Sequence, residues 1–436
     1  MLPERILIIG LGQTGLSCLR YCLQRGVGPV VMDTRACPPG AEQLPAQIER
    51  HFGGLALAPI LAAELIIVSP GVALATPELQ QALAAGIEII GDIELFVREC
   101  TAPIVAITGS NGKSTVTTLV GEMAEEAGMV VGVGGNIGTP ALDLLPQVAG
   151  KPLELAVLEL SSFQLETTPG LRAIAATVLN ISEDHLDRYD SLAHYRDTKL
   201  GIYDGAALAV YNREDSETRP QQAQAAVSFG LDEIEYGRMK HDGELWLSRF
   251  GEPVLPVSAL KILGAHNQLN TLAAMALADK AGIALDAQLK VLRRFGGLAH
   301  RCQFVAEKNG VRWVNDTKAT NVGATLAAIA GINEAVSGRL WLIAGGQGKG
   351  QDFGPLVPLL NGTLAGMVCF GQDRKRLLAL ADNTFEVATL DEAVAWCAGQ
   401  AQPGDWVLLA PACASLDMYS SYQKRGEHFI ALVEAL

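Results

Sequence analysis

Between Ile104 and Thr115 the chain runs Ile-Val-Ala-Ile-Thr-Gly-Ser-Asn-Gly-Lys-Ser-Thr, an apolar strand leading straight into a glycine loop that ends in Gly-Lys-Ser. These residue types at this spacing form a phosphate cradle. Gly109 and Gly112 let the backbone aim N–H groups at phosphate oxygens, with Ser110, Asn111 and Thr115 completing the loop. Lys113 reaches toward the terminal phosphates, and Ser114 can hold Mg²⁺ at a helix N-terminus. ATP is the ligand this predicts. Ile107 stands where the longer form of the motif has its first glycine, so the loop is the short G-x-x-G-K-S variety.

A second glycine loop, Gly10-Leu-Gly12-Gln-Thr-Gly15, follows an N-terminal strand, and Asp33 closes the next strand. This pattern sets a pyrophosphate on a helix N-terminus, with Asp33, Thr34 or Arg35 near a ribose or base. NAD and a UDP-sugar satisfy it equally, and a purely structural turn competes with both. Glu159, in Leu158-Glu-Leu-Ser-Ser-Phe163, ends a strand where a carboxylate suits Mg²⁺. His185 sits among carboxylates in Asn180 to Asp187, where local capping is an equal alternative. Lys199 reads from spacing alone as a solvated charge. Asn267 and Asn270 lie three apart on one helix face, so they either cap that helix or read a purine edge. Three further turns, Asn315 to Asn321, Gly345 to Gly350 and Pro411 to Ser415, each follow a strand and concentrate polar groups. A helix start capped by Asp316 or Thr317 is the plain alternative for the first of them.

Positioning these loops requires parallel α/β layers, and apolar runs do alternate with helical patterns almost throughout. At 436 residues the chain predicts two or three domains. The first block has strands at Arg5 to Ile9, Val30 to Met32 and Leu65 to Val68, with a helix over Leu16 to Arg25. The second begins at Pro103 and has further strands at Leu155 to Glu159, Ala175 to Leu179 and Ala207 to Tyr211. It closes with helices over Asn267 to Ala281 and Leu285 to Phe295. Gly296-Gly297 marks a hinge, followed by strands at Val311 to Asn315, Trp341 to Ala344, Met367 to Phe370 and Trp406 to Ala410. The expected domains are 1–93, 94–298 and 299–436: Rossmann-like, central P-loop ATPase with a mostly parallel sheet, and Rossmann-like again.

A net charge of −14 argues against nucleic acid and anionic membrane surfaces as partners. Eight cysteines without a C-x-x-C pair indicate neither a disulfide framework nor a zinc site, and are expected to be buried, reduced thiols. The opening residues lack a signal-peptide core and no apolar run reaches membrane-spanning length, which places the chain in the cytoplasm by expectation.

Eight motifs together resemble the Mur ligases in type and order: Thr108 to Ser114, Gly134-Gly-Asn-Ile-Gly138, Leu158 to Leu165, Asp184-His-Leu-Asp187, Gly264 to Asn270, His300-Arg301, Asn315 to Asn321 and Gly345 to Gly350. Asn-Asp-Thr-Lys-Ala-Thr-Asn and Pro-Ala-Cys-Ala-Ser-Leu-Asp look like the member that adds D-glutamate. The resemblance implies ATP phosphates on Gly109 to Thr115, one Mg²⁺ on Ser114 and Glu159, and a second on Glu159, His185 and a carbamylated Lys199. It implies adenosine on Asn267, Asn270, Arg301 and Asp316. It further implies UDP-N-acetylmuramoyl-L-alanine on Thr14, Asp33, Thr34, Arg35, Gly71 and Asn136, and D-glutamate on Lys318, Thr320, Lys349, Ser415 and Tyr422. Tyr422 replaces the family's usual Phe, while Ser110 and Thr317 exchange Ser with Thr. The implied reaction is ATP-dependent peptide-bond formation through an acyl phosphate in peptidoglycan precursor synthesis, by a monomer, with the hinge closing to exclude water. An NAD(P)-dependent oxidoreductase, a P-loop switch that hydrolyses ATP, and a Mur ligase adding another amino acid are the competing readings.

Overall fold

Short apolar runs covered on both faces make buried parallel strands, and in the computed structural model, which describes residues 2–146, 150–182, 188–262, 264–333 and 336–436, they do so three times. The first sheet comprises β1 (Ile6–Ile9), β2 (Val30–Asp33), β3 (Arg50–Phe52), β4 (Leu65–Val68) and β5 (Glu88–Ile90). All its pairings are parallel, in the order β3-β2-β1-β4-β5. That is the doubly wound order, with its crevice where the strand order reverses beside β1.

The second sheet holds β6 (Ile104–Thr108), β7 (Val131–Gly135), β8 (Leu155–Glu159), β9 (Ala175–Val178), β10 (Ala209–Asn212) and β11 (Ala226–Phe229), all parallel. It continues into β12 (Tyr236–His241), β13 (Glu244–Arg249) and β14 (Glu252–Pro256), whose mutual pairing is antiparallel. The reversals have a local cause. Asp242 and Gly243 carry φ of 50° and 81°, and Phe250 and Gly251 carry 51° and 83°. Two consecutive left-handed residues make the tight hairpin turn that matches strand twist, and Asp-Gly is the sequence that favours it. The third sheet has β15 (Gln303–Lys308), β16 (Val311–Asn315), β17 (Leu340–Gly345), β18 (Leu364–Phe370), β19 (Thr384–Glu386) and β20 (Trp406–Leu409), in the order β15-β16-β20-β17-β18-β19. Only the β15–β16 pair is antiparallel among them.

The first two sheets fall in one compact unit, the chain to Ala259 together with Leu269–Arg293; the second unit is Leu260–Gln268 with Arg294–Leu436. Within the first unit a single apolar core runs from Ile6 and Ile8 under the first sheet, through Ile93 and Phe96, to Leu142, Leu158 and Val178. This continuity fixes the two sheets' loop edges against each other. Five cysteines are buried, but Cys37 is exposed and Cys100 and Cys302 are half-buried, which corrects the expectation of uniformly buried thiols. Among the described residues no helix is long and apolar enough to cross a membrane.

Candidate active site

The phosphate loop leaves β6 at Thr108 and enters helix Lys113–Glu126. Its glycines are obligatory. Gly109 has φ +147° and a Cβ there would lie 3.0 Å from the Leu179 side chain; Gly112 has φ +82° and its Cβ would lie 2.4 Å from Asn270 Oδ1. The loop is held from the end of β9: Ser110 N–H donates to Asn180 O at 2.9 Å, and Asn111 N–H donates to Asn180 Oδ1 at 2.7 Å. Lys113 curls over this loop, its ammonium donating to Gly109 O at 2.7 Å and Ser110 O at 2.9 Å. Ser114 is buried and Thr115 half-buried in the first helical turn.

Glu159 ends β8 with 3 % of its surface exposed. Its Oε1 accepts from Asn136 Nδ2 at 2.7 Å, whereas Oε2 has no hydrogen-bond partner among the described residues. A buried carboxylate oxygen left so is costly unless a cation or donor completes it. Lys199, 2 % exposed, aims its ammonium at Thr108 Oγ1 at 3.2 Å and Gly109 O at 3.1 Å, over the Tyr195 ring. The sequence had suggested a solvated charge; the fold instead buries it against the phosphate loop. Lys113, Asn136, Tyr195 and Lys199 line one cavity of about 200 Å³ with Pro70, Ser161, Ser162 and Phe163. The expectation for His185 lies outside the described residues. Among the described residues no three His, Cys, Asp or Glu side chains converge as a metal set.

At the first sheet, helix Gln13–Gln24 starts from Gly12 with no side-chain cap, so its first amides are unclaimed by a capping oxygen, and Thr14 is half-buried in that first turn. Gly15 packs so closely that a Cβ would lie 1.9 Å from Gly10 O. Asp33 is 1 % exposed and engaged on all sides: Leu11 N–H reaches Oδ2 at 2.7 Å, Arg35 N–H and Nε reach Oδ1 at 2.8 and 2.9 Å, and Arg35 Nη2 reaches Oδ2 at 2.7 Å. Burial would raise its pKa, but the guanidinium and the two backbone donors outweigh that and bring it down to about 2. Asp33 therefore organises the loop, leaving Thr34 and Arg35 as the exposed groups beside it. A dinucleotide reading needs a free carboxylate here for a ribose diol, and this one is spent.

In the second unit, helix Val322–Asn333 is capped by Asn321, which accepts from Ala324 N–H at 2.8 Å; neither Asp316 nor Thr317 serves as expected. Asn267 likewise lies inside the first turn of helix Ala265–Lys280, so it does not cap it. Burial pushes Asp316 up to about 6, and the Cys302 thiol donates to it at 3.5 Å, with the exposed Arg301 nearby in sequence. Lys318 places its ammonium 4.3 Å from the Tyr422 ring centre, and Thr320 N–H donates to Lys318 O at 2.8 Å. Lys349 adopts φ +50°, a left-handed conformation uncommon for a side-chain-bearing residue. Ser415 is 3 % exposed. One residue ties the three turns together. Arg425, fully buried, donates from Nε to Thr317 Oγ1 at 2.9 Å, from Nη1 to Gly345 O at 3.3 Å, and from Nη2 to Thr317 O and Cys413 O at 3.0 and 3.1 Å. Burial lowers its pKa to about 10, which leaves it charged at neutral pH. Arg425, Asn180 and Tyr195 escaped the sequence reading, although Tyr195 stood four residues from Lys199 on the same helical face.

A phosphate loop on a parallel sheet, a buried carboxylate opposite it and a doubly wound sheet alongside define a nucleotide-handling α/β protein. The family models agree with this architecture block by block: "Mur ligase MurD-like, N-terminal domain" matches residues 4–91, "Mur ligase middle domain" 107–278, and "Mur ligase, glutamate ligase domain" 300–413. The chain belongs to the Mur ligase family. It is 54 % identical to the UDP-N-acetylmuramoylalanine--D-glutamate ligase of Escherichia coli (strain K12) over 437 residues, 99 % of this chain and 98 % of that one. It shows the same identity and coverage with the enzyme of that name from Salmonella typhimurium. Among solved structures it is similar in fold to the UDP-N-acetylmuramate-alanine ligase of Thermotoga maritima, with a TM-score of 0.61 and 19 % identity over 99 % of both chains. The MurF ligase of Thermotoga maritima in complex with ADP also gives 0.61, at 15 % identity, over 99 % of this chain and 94 % of that one.

Proposed function

We propose that the protein joins D-glutamate to UDP-N-acetylmuramoyl-L-alanine at the expense of ATP, in peptidoglycan precursor synthesis. The observation that carries this is a buried Glu159, whose Oε2 has no partner among the described residues, on the strand beside a phosphate loop to which Lys113 and Lys199 both donate. In this reading the alanine carboxylate attacks the γ-phosphorus, ADP leaves, and the amine of D-glutamate then displaces phosphate from the acyl carbon. The barrier is the approach of one anion to another, so positioning and fixed positive charge carry the catalysis and no protein nucleophile is required.

Each group then has a task. The backbone of Gly109 to Thr115 receives the phosphates, and Lys113 exchanges its two loop carbonyls for phosphate oxygens. Ser114 and Glu159 would hold Mg²⁺, which supplies charge neutralisation when bound; the unpartnered Oε2 of Glu159 fits such a cation. A second ion would take Glu159, His185 and Lys199, with Lys199 carbamylated. As an ammonium Lys199 serves the loop as a donor, whereas carbamylation would retain one N–H and add two acceptor oxygens. Asn267, Asn270, Arg301 and Asp316 would meet adenosine. Thr14, Thr34 and Arg35, set by Asp33, would meet the UDP end, with Gly71 and Asn136 nearer the muramoyl peptide. Lys318, Thr320, Lys349, Ser415 and Tyr422 would bind D-glutamate, Lys318 and Lys349 facing its carboxylates. The functional division 1–93, 94–298 and 299–436, a cytoplasmic location and a monomeric state belong to the same proposal.

A panel of amino acids with ATP and UDP-N-acetylmuramoyl-L-alanine tests it. D-glutamate should drive phosphate release above every other member; L-alanine or a diamino acid doing better would assign the chain to another reaction.

A further inference from the structure

Arg188 has no part in the roles above, yet its guanidinium is largely buried and joins segments far apart in the chain. Nη1 donates to Pro70 O at 3.0 Å; Nη2 donates to Val72 O at 3.4 Å and Glu166 Oε2 at 2.9 Å. Its plane lies 4.3 Å from the centre of the Phe163 ring. Glu166 is held in turn by the Tyr189 hydroxyl, which donates to Oε1 at 2.5 Å, and Tyr189 stacks on Phe163.

The two carbonyls that Arg188 grips flank Gly71, in the loop that leaves β4 of the first sheet. Phe163 and Glu166 belong to the segment that follows β8, the strand ending in Glu159. Pro70 and Phe163 both line the cavity that holds Lys113 and Lys199. Gly71 itself contributes no side chain, and a Cβ there would meet open space. A planar fork with several fixed donors suits this task because it sets direction as well as distance, which a lysine ammonium does not.

We propose that Arg188 is a positioning residue for the nucleotide-sugar substrate: by clamping Pro70 O and Val72 O it fixes the Gly71 loop of the first sheet at the mouth of the phosphate-loop cavity. Glu166 and Tyr189 hold the clamp. The inference rests on the ligase reading and adds a residue that touches substrate only through the backbone it orients.

Calorimetric titration of the full chain with UDP-N-acetylmuramoyl-L-alanine, and separately with ADP, tests it. Arg188→Ala should weaken the first ligand roughly 10- to 100-fold, as expected for losing charge-assisted hydrogen bonds, and leave ADP within about threefold. Arg188→Lys should also lose at least about fivefold for the nucleotide sugar. A merely structural role would weaken both ligands in parallel, and that result overturns the proposal, as does nucleotide-sugar affinity within twofold of wild type. Should Arg188→Ala fail to fold, Glu166→Gln and Tyr189→Phe give the same test at smaller size: a selective loss of roughly threefold or more supports the clamp, and unchanged affinity refutes it. Failure of wild type to bind the nucleotide sugar at all would overturn the ligase reading itself, a result distinct from a binding wild type beside an unaffected variant.

Discussion

Replacing Asp33 by Asn should destabilise the first sheet in a way that depends on pH. Its carboxylate accepts from the Leu11 and Arg35 backbones and twice from the Arg35 guanidinium, at 2.7 to 2.9 Å, with 1 % of the residue exposed. These donors hold the pKa at about 2 against an ordinary 3.8. At about 1.4 kcal/mol per unit, the ionised form contributes on the order of 2 kcal/mol to folding. The folded pKa is depressed, so this contribution is fully present above pH 5 and is lost as pH falls from about 5 through 2. Denaturation of wild type and Asp33→Asn between pH 2.5 and 8, followed by circular dichroism, measures it. The variant should melt roughly 4–8 °C lower at pH 7, and the gap should narrow below pH 4. Equal stability at pH 7, or a gap that stays constant into acid, would refute the role given to this carboxylate.

Three further outcomes follow from the site. Lys199→Ala should lose nearly all activity, with no restoration by bicarbonate and partial rescue by a short-chain carboxylic acid; full activity in the variant would dismiss the carbamate. Gly112→Ala brings a Cβ to 2.4 Å from Asn270 Oδ1 at φ +82°, a strain of about 1–3 kcal/mol, so nucleotide titration should show affinity reduced at least about fivefold, and an unchanged affinity would argue against the loop geometry. For Asp316 burial lifts the pKa to about 6, so the folded state holds a proton that the unfolded state releases, and stability falls as pH rises from about 4 through 6. Asp316→Asn should therefore gain stability relative to wild type at pH 8 while weakening ADP binding, and a variant less stable at pH 8 would contradict the assignment of burial as the cause.

How much of this was legible in the chain depended on the range of the interactions. Runs such as Ile6–Ile9, Leu65–Val68 and Ile104–Thr108 announce buried parallel strands by composition, and all three are buried throughout. Arg50–Phe52 and Glu88–Ile90 do not, because three-residue edge strands with exposed or half-buried positions carry little apolar signal. The antiparallel extension β12 to β14 was marked by Asp242-Gly243, a local hairpin code that a reading built on βα alternation passes over. The phosphate loop was readable because its function requires contiguous residues. Its supports were not: Asn180 lies 69 residues from Asn111, and Arg188 118 from Pro70. Asp33 shows the same limit from the other side, since its position was evident and its engagement by Leu11 and Arg35 required the folded loop.

The central claim is that a substrate carboxylate takes the phosphoryl group from ATP before the peptide bond forms. Synthesis with UDP-N-acetylmuramoyl-L-alanine labelled with ¹⁸O in its alanine carboxylate tests this most directly, by mass spectrometry of the inorganic phosphate released in the presence of D-glutamate. One labelled oxygen should appear in each phosphate, carried over as the bridging atom of the acyl phosphate. Phosphate without label, formed at the same rate whether or not the muramoyl substrate is present, would contradict the account.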